Sequence, residues 1–194
     1  YNLKVKVAGS TSEAGITIPS GVTGVDDLNP TFVKGLGTNH VLVSDALPAN
    51  TELAIAPTAP SNWTVVYSTD TPTVTSAGYQ ATWSTTQPTL SAVKQVGFVY
   101  TAGSTLAKGT TTDFSFKVKL KTGVANGAVI RNIAQVFGEK DGVTPTISTT
   151  PTVYDESGDA EFNNDSNGDG FGDGDTDNDG DVDEADATDS KQTA

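Results

Sequence analysis

Apolar and polar positions alternate with a period of two along much of residues 1–154, and no stretch of ten residues shows the periodicity of an amphipathic helix. Leu3, Val5 and Val7 are interleaved with Lys4 and Lys6, the mark of a half-buried strand. Trp63, Val65 and Tyr67 repeat the pattern, as do Tyr79, Ala81 and Trp83. Phe114, Phe116, Val118 and Leu120 alternate with Ser115, Lys117, Lys119 and Lys121, predicting one strand with an apolar and a wet face. From Ala128 to Phe137 apolar residues occupy both parities, as in a strand covered on both sides. Between these segments lie clusters of Gly, Pro, Asn, Asp and Thr, which punctuate strands rather than continue them. Residues 19–51 are interrupted throughout and predict a long excursion or a few irregular strands. β-branched residues favour pleated surface over helix. The expected fold is all-β, an immunoglobulin-like antiparallel β-sandwich. Its core is expected to hold Trp63, Tyr79, Trp83, Phe98, Tyr100, Phe114 and Phe116.

The pattern stops at Tyr154. Beyond it the large apolar residues are Phe162, Phe171 and Val182, too few to offset the entropy of ordering the segment without help. The expected organisation is therefore a body, residues 1–154, and an irregular tail, residues 155–194. Charge divides at the same place. The chain has a formal net charge of -13. The tail carries fifteen acidic residues and Lys191, or -14, while the body has ten basic and nine acidic residues, or +1. Such a field attracts cations and basic partners and repels nucleic acid.

The spacing within the tail narrows the choice of cation. Counting from Asp175 as position 1, oxygen ligands fall at 1, 3, 5, 9 and 12: Asp175, Asp177, Asp179, Asp183 and Asp186. Gly180 stands at position 6, Asp181 supplies its backbone carbonyl at 7, and Val182 is the apolar residue at 8. This is the calcium-loop spacing of an EF-hand, in which alternate side chains converge on one centre while the chain curls at the glycine. Position 12 is Asp rather than Glu, a shorter closing arm. A second loop counts from Asp165 through Asn167, Asp169, Gly170 and Asp173; Thr176 falls at its position 12, so closure would borrow Asp175 or Asp177. Many flexible carboxylates suit Ca2+ better than Mg2+, which demands near-ideal octahedral geometry. The run resembles the aspartate-rich repeats of thrombospondin type 3 segments, and the Asp165 loop also resembles a dockerin loop, without the flanking helices of either dockerins or EF-hands.

Other chemistry finds less support in the residues. With no cysteine there is no disulfide, thiolate site or cysteine nucleophile. His40 is the sole histidine; Ser44 and Asp45 follow closely, but nothing resembles a nucleophile elbow. One His and no Cys argue against a transition-metal centre. No phosphate-binding glycine motif occurs, and the body's single arginine, Arg131, provides no nucleic-acid patch. No apolar run is long enough to cross a bilayer. No enzymatic activity is expected, a hydrolase with a calcium-stabilised fold being the weakest reading.

Residues 110–138, "TTTDFSFKVKLKTGVANGAVIRNIAQVFG", resemble the repeat domain of bacterial surface proteins known as the domain of unknown function eleven: an amphipathic strand, a Gly-containing turn, and a strand ending in the phrase Asn132-Ile-Ala-x-Val136. "VYDESGDAEFNN", Val153 to Asn164, is similar to the phrase that follows such domains in large secreted cyanobacterial proteins. The resemblance implies an immunoglobulin-like sandwich, extracellular placement and a structural or adhesive role. Absence of methionine and cysteine suits that location, and the missing Met at position 1 suggests removal of an upstream segment. Two roles follow as expectations: a secreted, cell-surface structural subunit that self-associates into a homopolymer, or a calcium-dependent adhesin or carbohydrate-binding module that holds a surface glycan. Asn2 to Ala8 could pair with a neighbour's sheet edge or within its own sandwich.

Overall fold

The computed structural model describes residues 1–7, 27–72, 80–101, 105–128, 130, 132 and 134–140, and the backbone of 153–156. These residues contain twelve strands and no α-helix. In chain order the strands are β1 (Asn2–Lys6), β2 (Leu28–Asn29), β3 (Thr31–Phe32), β4 (Asn39–His40), β5 (Leu42–Ala46), β6 (Thr51–Leu53), β7 (Trp63–Ser68), β8 (Gln95–Tyr100), β9 (Thr111–Ser115), β10 (Val118–Leu120), β11 (Ala134–Lys140) and β12 (Val153–Glu156). Every pairing is antiparallel. The expected all-β sandwich is what forms.

The main sheet runs β12-β11-β5-β8-β7, with β2 added beside β11. Its register places Val136 opposite Val43, Val43 opposite Phe98, and Phe98 opposite Val65. These side chains share one face and pack against a second layer made of two small sheets, β1 with β9 and β6 with β10. The larger core lies between the layers: Val41, Val43, Trp63, Tyr67, Val96 and Phe98 from one side, Val7, Leu53, Phe114 and Phe116 from the other. Phe114 meets Trp63 edge-on at 4.8 Å, a preferred aromatic geometry. A smaller core covers the opposite face of the main sheet, where Leu42, Val66, Val99 and Phe137 pack on Val33, Ala81 and Trp83.

The structure departs from the sequence reading in four places. Residues 19–51 hold β5, which lies at the centre of the main sheet between β11 and β8. Both faces of β5 are covered, so its apolar run Val41–Val43 does not alternate. The segment from Phe114 to Leu120 is two strands, not one: β9 pairs with β1, the ladder breaks at Phe116–Lys117, and β10 pairs with β6. Leu120 consequently overhangs the core and is 60% exposed. Residues 80–84 form no strand; Ser84 makes one bridge to Tyr67, while Tyr79 lies outside the described residues. Finally, β11 begins at Ala134, after turns at residues 122–127, rather than at Ala128. The Asn2–Ala8 segment resolves its alternatives locally, since β1 pairs with β9 of its own chain over Asn2–Lys6.

Candidate functional site

All ten candidate calcium ligands, Asp165, Asn167, Asp169, Asp173, Asp175, Asp177, Asp179, Asp181, Asp183 and Asp186, lie outside the described residues. What the fold contributes is the point from which they start. β12 is held to β11 by the pairs Gln135–Glu156, Val136–Asp155, Phe137–Tyr154 and Gly138–Val153. The first two acidic residues of the tail are thus part of the main sheet. Among the described residues, no group of three or more His, Cys, Asp or Glu could hold a metal ion.

His40, Ser44 and Asp45 do not converge. His40 sits on β4, its Nδ1 3.2 Å from the Tyr100 carbonyl and its Nε2 2.7 Å from Thr38 Oγ1. The ring therefore ties the β3–β4 hairpin to the end of β8. Ser44 and Asp45 are consecutive residues of β5, so their side chains point to opposite faces of the sheet, and each is buried to 1% exposure.

Asp45 has a different partner. Asn132, which opens the Asn-Ile-Ala-x-Val phrase, donates its amide to Asp45 Oδ2 at 2.7 Å. Asp45 Oδ1 and Asn132 Oδ1 are both buried and lack an assigned partner. Cross-strand neighbours of Asp45 are Ala134 and Val96, which give it no polar contact through their side chains. Desolvation by this burial pushes the Asp45 carboxyl up to about 7, against the smaller opposing pull of the Asn132 hydrogen bond and of the positive charge on the chain's first nitrogen. The Tyr1 phenol is raised in turn, by desolvation and by the Asp45 charge. A neutral carboxyl suits the pair. Protonated, Asp45 carries a donor, and the buried Asn132 Oδ1 lacks one. A second buried carboxylate, Glu139 on β11, accepts from Thr31 Oγ1 at 2.9 Å and joins β11 to the β3–β4 hairpin.

Trp83 is fixed by the absence of a side chain. A Cβ on Gly97 would lie 2.9 Å from Trp83 Cζ3 and 2.8 Å from Val66 Cγ2, so only glycine lets the indole lie against β8. Trp83 also donates its backbone N–H to the Lys34 carbonyl, and a Cβ on Gly35 (φ +91°) would strike the Trp83 carbonyl oxygen.

These contacts define an antiparallel β-sandwich domain, its main sheet stapled by buried polar pairs and covered on one face by a tryptophan-bearing loop. The chain belongs to the family described as domain of unknown function DUF7925, whose profile matches residues 1–165. The match takes in β12 and ends at Asp165, before the remaining candidate ligands. No curated protein and no solved structure matches the chain.

Proposed function

We propose that this protein is an extracellular structural component of a microbial surface, a surface-layer, sheath or filament subunit, that binds calcium through residues 165–186 and self-associates. The observation that carries the reading is the doubled loop spacing, with Gly170 and Gly180 each at position 6 behind three oxygen ligands, on a tail of charge -14 joined to a nearly neutral body. Without metal, neighbouring tails repel within a Debye length of about 8 Å in physiological salt. Bound calcium neutralises carboxylates and lets those remaining bridge between copies.

The sandwich supplies an edge for such assembly. Among the described residues, β7 ends the main sheet and has a single bridge on its outer side, Tyr67 to Ser84. An open edge of this kind is the usual place for strands of two chains to meet. The adhesin alternative draws less support from the described surface. Both tryptophans are buried, and the exposed large hydrophobic residues among those described are Tyr1, Ile55 and Leu120. No aromatic platform for a sugar ring is found among the described residues.

Negative-stain imaging and light scattering of the purified chain, with millimolar calcium and with chelator, test the proposal. Ordered assemblies that appear with calcium and dissolve on chelation are expected. Monomers under both conditions, together with a hit on a glycan array, would establish the adhesin instead.

A further inference from the structure

The body's small net charge conceals an uneven distribution. In β1, Asn2, Lys4 and Lys6 are exposed while Leu3, Val5 and Val7 turn toward the core. The register of β1 with β9 puts Lys4 opposite Asp113 and Lys6 opposite Thr111, on the outward face. The same outward parity continues through the break at Phe116 to Lys117, Lys119 and Lys121, with Lys119 opposite Glu52 of β6. Among the described residues, one surface of the second layer therefore carries Lys4, Lys6, Lys117, Lys119 and Lys121 against Asp113 and Glu52, a net of +3. With the body at +1, everything else in it sums to -2.

Among the described residues, the acids on this face are fewer than its lysines. Lys4 is 3.7 Å from Asp113, with both side chains more than two-thirds exposed, so that pair is weak. Lys119 reaches Glu52 at 3.0 Å, and Lys121 donates to the Ala49 carbonyl, which leaves its charge uncompensated.

We propose that this lysine face is the docking surface for the chain's own acidic segment, residues 157–194. Three arguments select that occupant. The segment carries thirteen acidic residues and one lysine, the complementary charge. It is long enough: fully extended it spans roughly 120 Å, whereas the eleven positions from Thr111 to Lys121 extend over roughly 35 Å. It is also covalently attached. An exposed lysine–carboxylate contact contributes about 0.2–1 kcal/mol, so a handful of them binds only weakly between separate chains. A tether raises the effective concentration to the millimolar range, where contacts of that strength are occupied. The inference goes beyond the structural role proposed above and does not depend on calcium binding.

Zero-length carbodiimide cross-linking of the full chain, in chelator and low salt, followed by peptide mapping, tests it. Cross-links are expected from Lys4, Lys6, Lys117, Lys119 and Lys121 to carboxylates between Asp159 and Asp189. They should exceed those from Lys34, Lys94 and Lys108 several-fold and collapse in 1 M salt. A mixture of isotopically light and heavy chains should give no mixed pairs. In the triple variant Lys117→Gln, Lys119→Gln, Lys121→Gln, cross-links from Lys4 and Lys6 should fall several-fold, and in the corresponding triple Lys→Arg variant they should persist. Equal yields on all lysines, predominance of mixed light–heavy pairs, or Lys4 and Lys6 yields indifferent to the Gln variant would each overturn the proposal.

Discussion

Asn132, two residues before β11, and Asp45 of β5, 87 residues apart in sequence, meet at 2.7 Å, each with its Oδ1 buried and without a hydrogen-bond partner. The pair makes stability depend on pH in a direction opposite to that of an ordinary ion-paired carboxylate. The Asp45 carboxyl is raised to about 7 in the fold, whereas in the unfolded chain it titrates near 3.9. The folded state therefore holds the proton more tightly. No penalty exists below about pH 4; stability falls as pH rises toward 7 and is level above it. The interval corresponds to at most roughly 4 kcal/mol. Among the described residues, the charged and titratable groups acting on Asp45 are the Tyr1 ammonium and phenol. Thermal melts at pH 5 and pH 8 should differ by roughly 5–10 °C, the acidic sample being the more stable. Asp45→Asn keeps a donor for Asn132 Oδ1 and carries no charge, so it should remove most of that difference. A pH dependence unchanged in Asp45→Asn would show that other groups cause it.

Gly97→Ala places a methyl group 2.8–2.9 Å from Val66 and Trp83. Overpacking of this kind costs about 1–3 kcal/mol, and Trp83→Ala, which empties the smaller core, about 3–5 kcal/mol. Combined in one chain, the two should cost less than their sum, because the alanine methyl then enters space the indole has left. Denaturant unfolding of the two single variants and the double variant measures the coupling.

Calcium should bind in the tail with more than one ion per chain and a Kd of about 10⁻⁴–10⁻³ M, as in extracellular modules. Calorimetry should register that binding, and Asp175→Ala with Asp179→Ala should abolish the part due to the loop that starts at Asp175. A flat titration at millimolar calcium would falsify the metal reading while leaving the fold untouched.

The β7 edge can be blocked without dismantling the sheet. The backbone N–H groups of Trp63 and Tyr67 go to Pro60 and Ser84, away from β8, and Val65 shares their parity. Val65→Pro therefore removes a donor from the outer side of the strand, where proline is tolerated. The variant should melt cooperatively yet form no calcium-dependent assemblies under light scattering. Assembly at wild-type levels would exclude β7 as the contact.

Alternation at Leu3–Val7 reads as a strand because Lys4 and Lys6 are exposed while Val7 is buried, whereas Trp63–Tyr67 keeps its period only through Thr64, since Val66 on the other face is buried in the smaller core. β5 was harder to see for a physical reason. A strand covered on both faces has no period, and Ser44 and Asp45 interrupt its apolar run with residues that look solvent-facing yet are 1% exposed. The change of partner at Phe116 leaves no mark either, since parity continues through the break while the hydrogen-bonding neighbour changes. Trp83 has strand-like spacing from Ala81 but is held by its ring on Gly97 rather than by a ladder. For the candidate site the balance is reversed. The calcium spacing is local and legible, and its residues lie outside the described structure. Asp45 and Asn132 form a site only through tertiary pairing, which spacing cannot encode.

β12 has a mechanical consequence. Any tension arriving from residues beyond Glu156 enters the sandwich through this strand, which has four paired positions at one end of the main sheet. The load passes to β11 before it can reach β5, where Asp45 and Asn132 clasp the next junction. The joint that yields first is thus the short outer one. In the assembly proposed above, a pull on the tail would therefore load this four-residue joint before the strands that carry both cores.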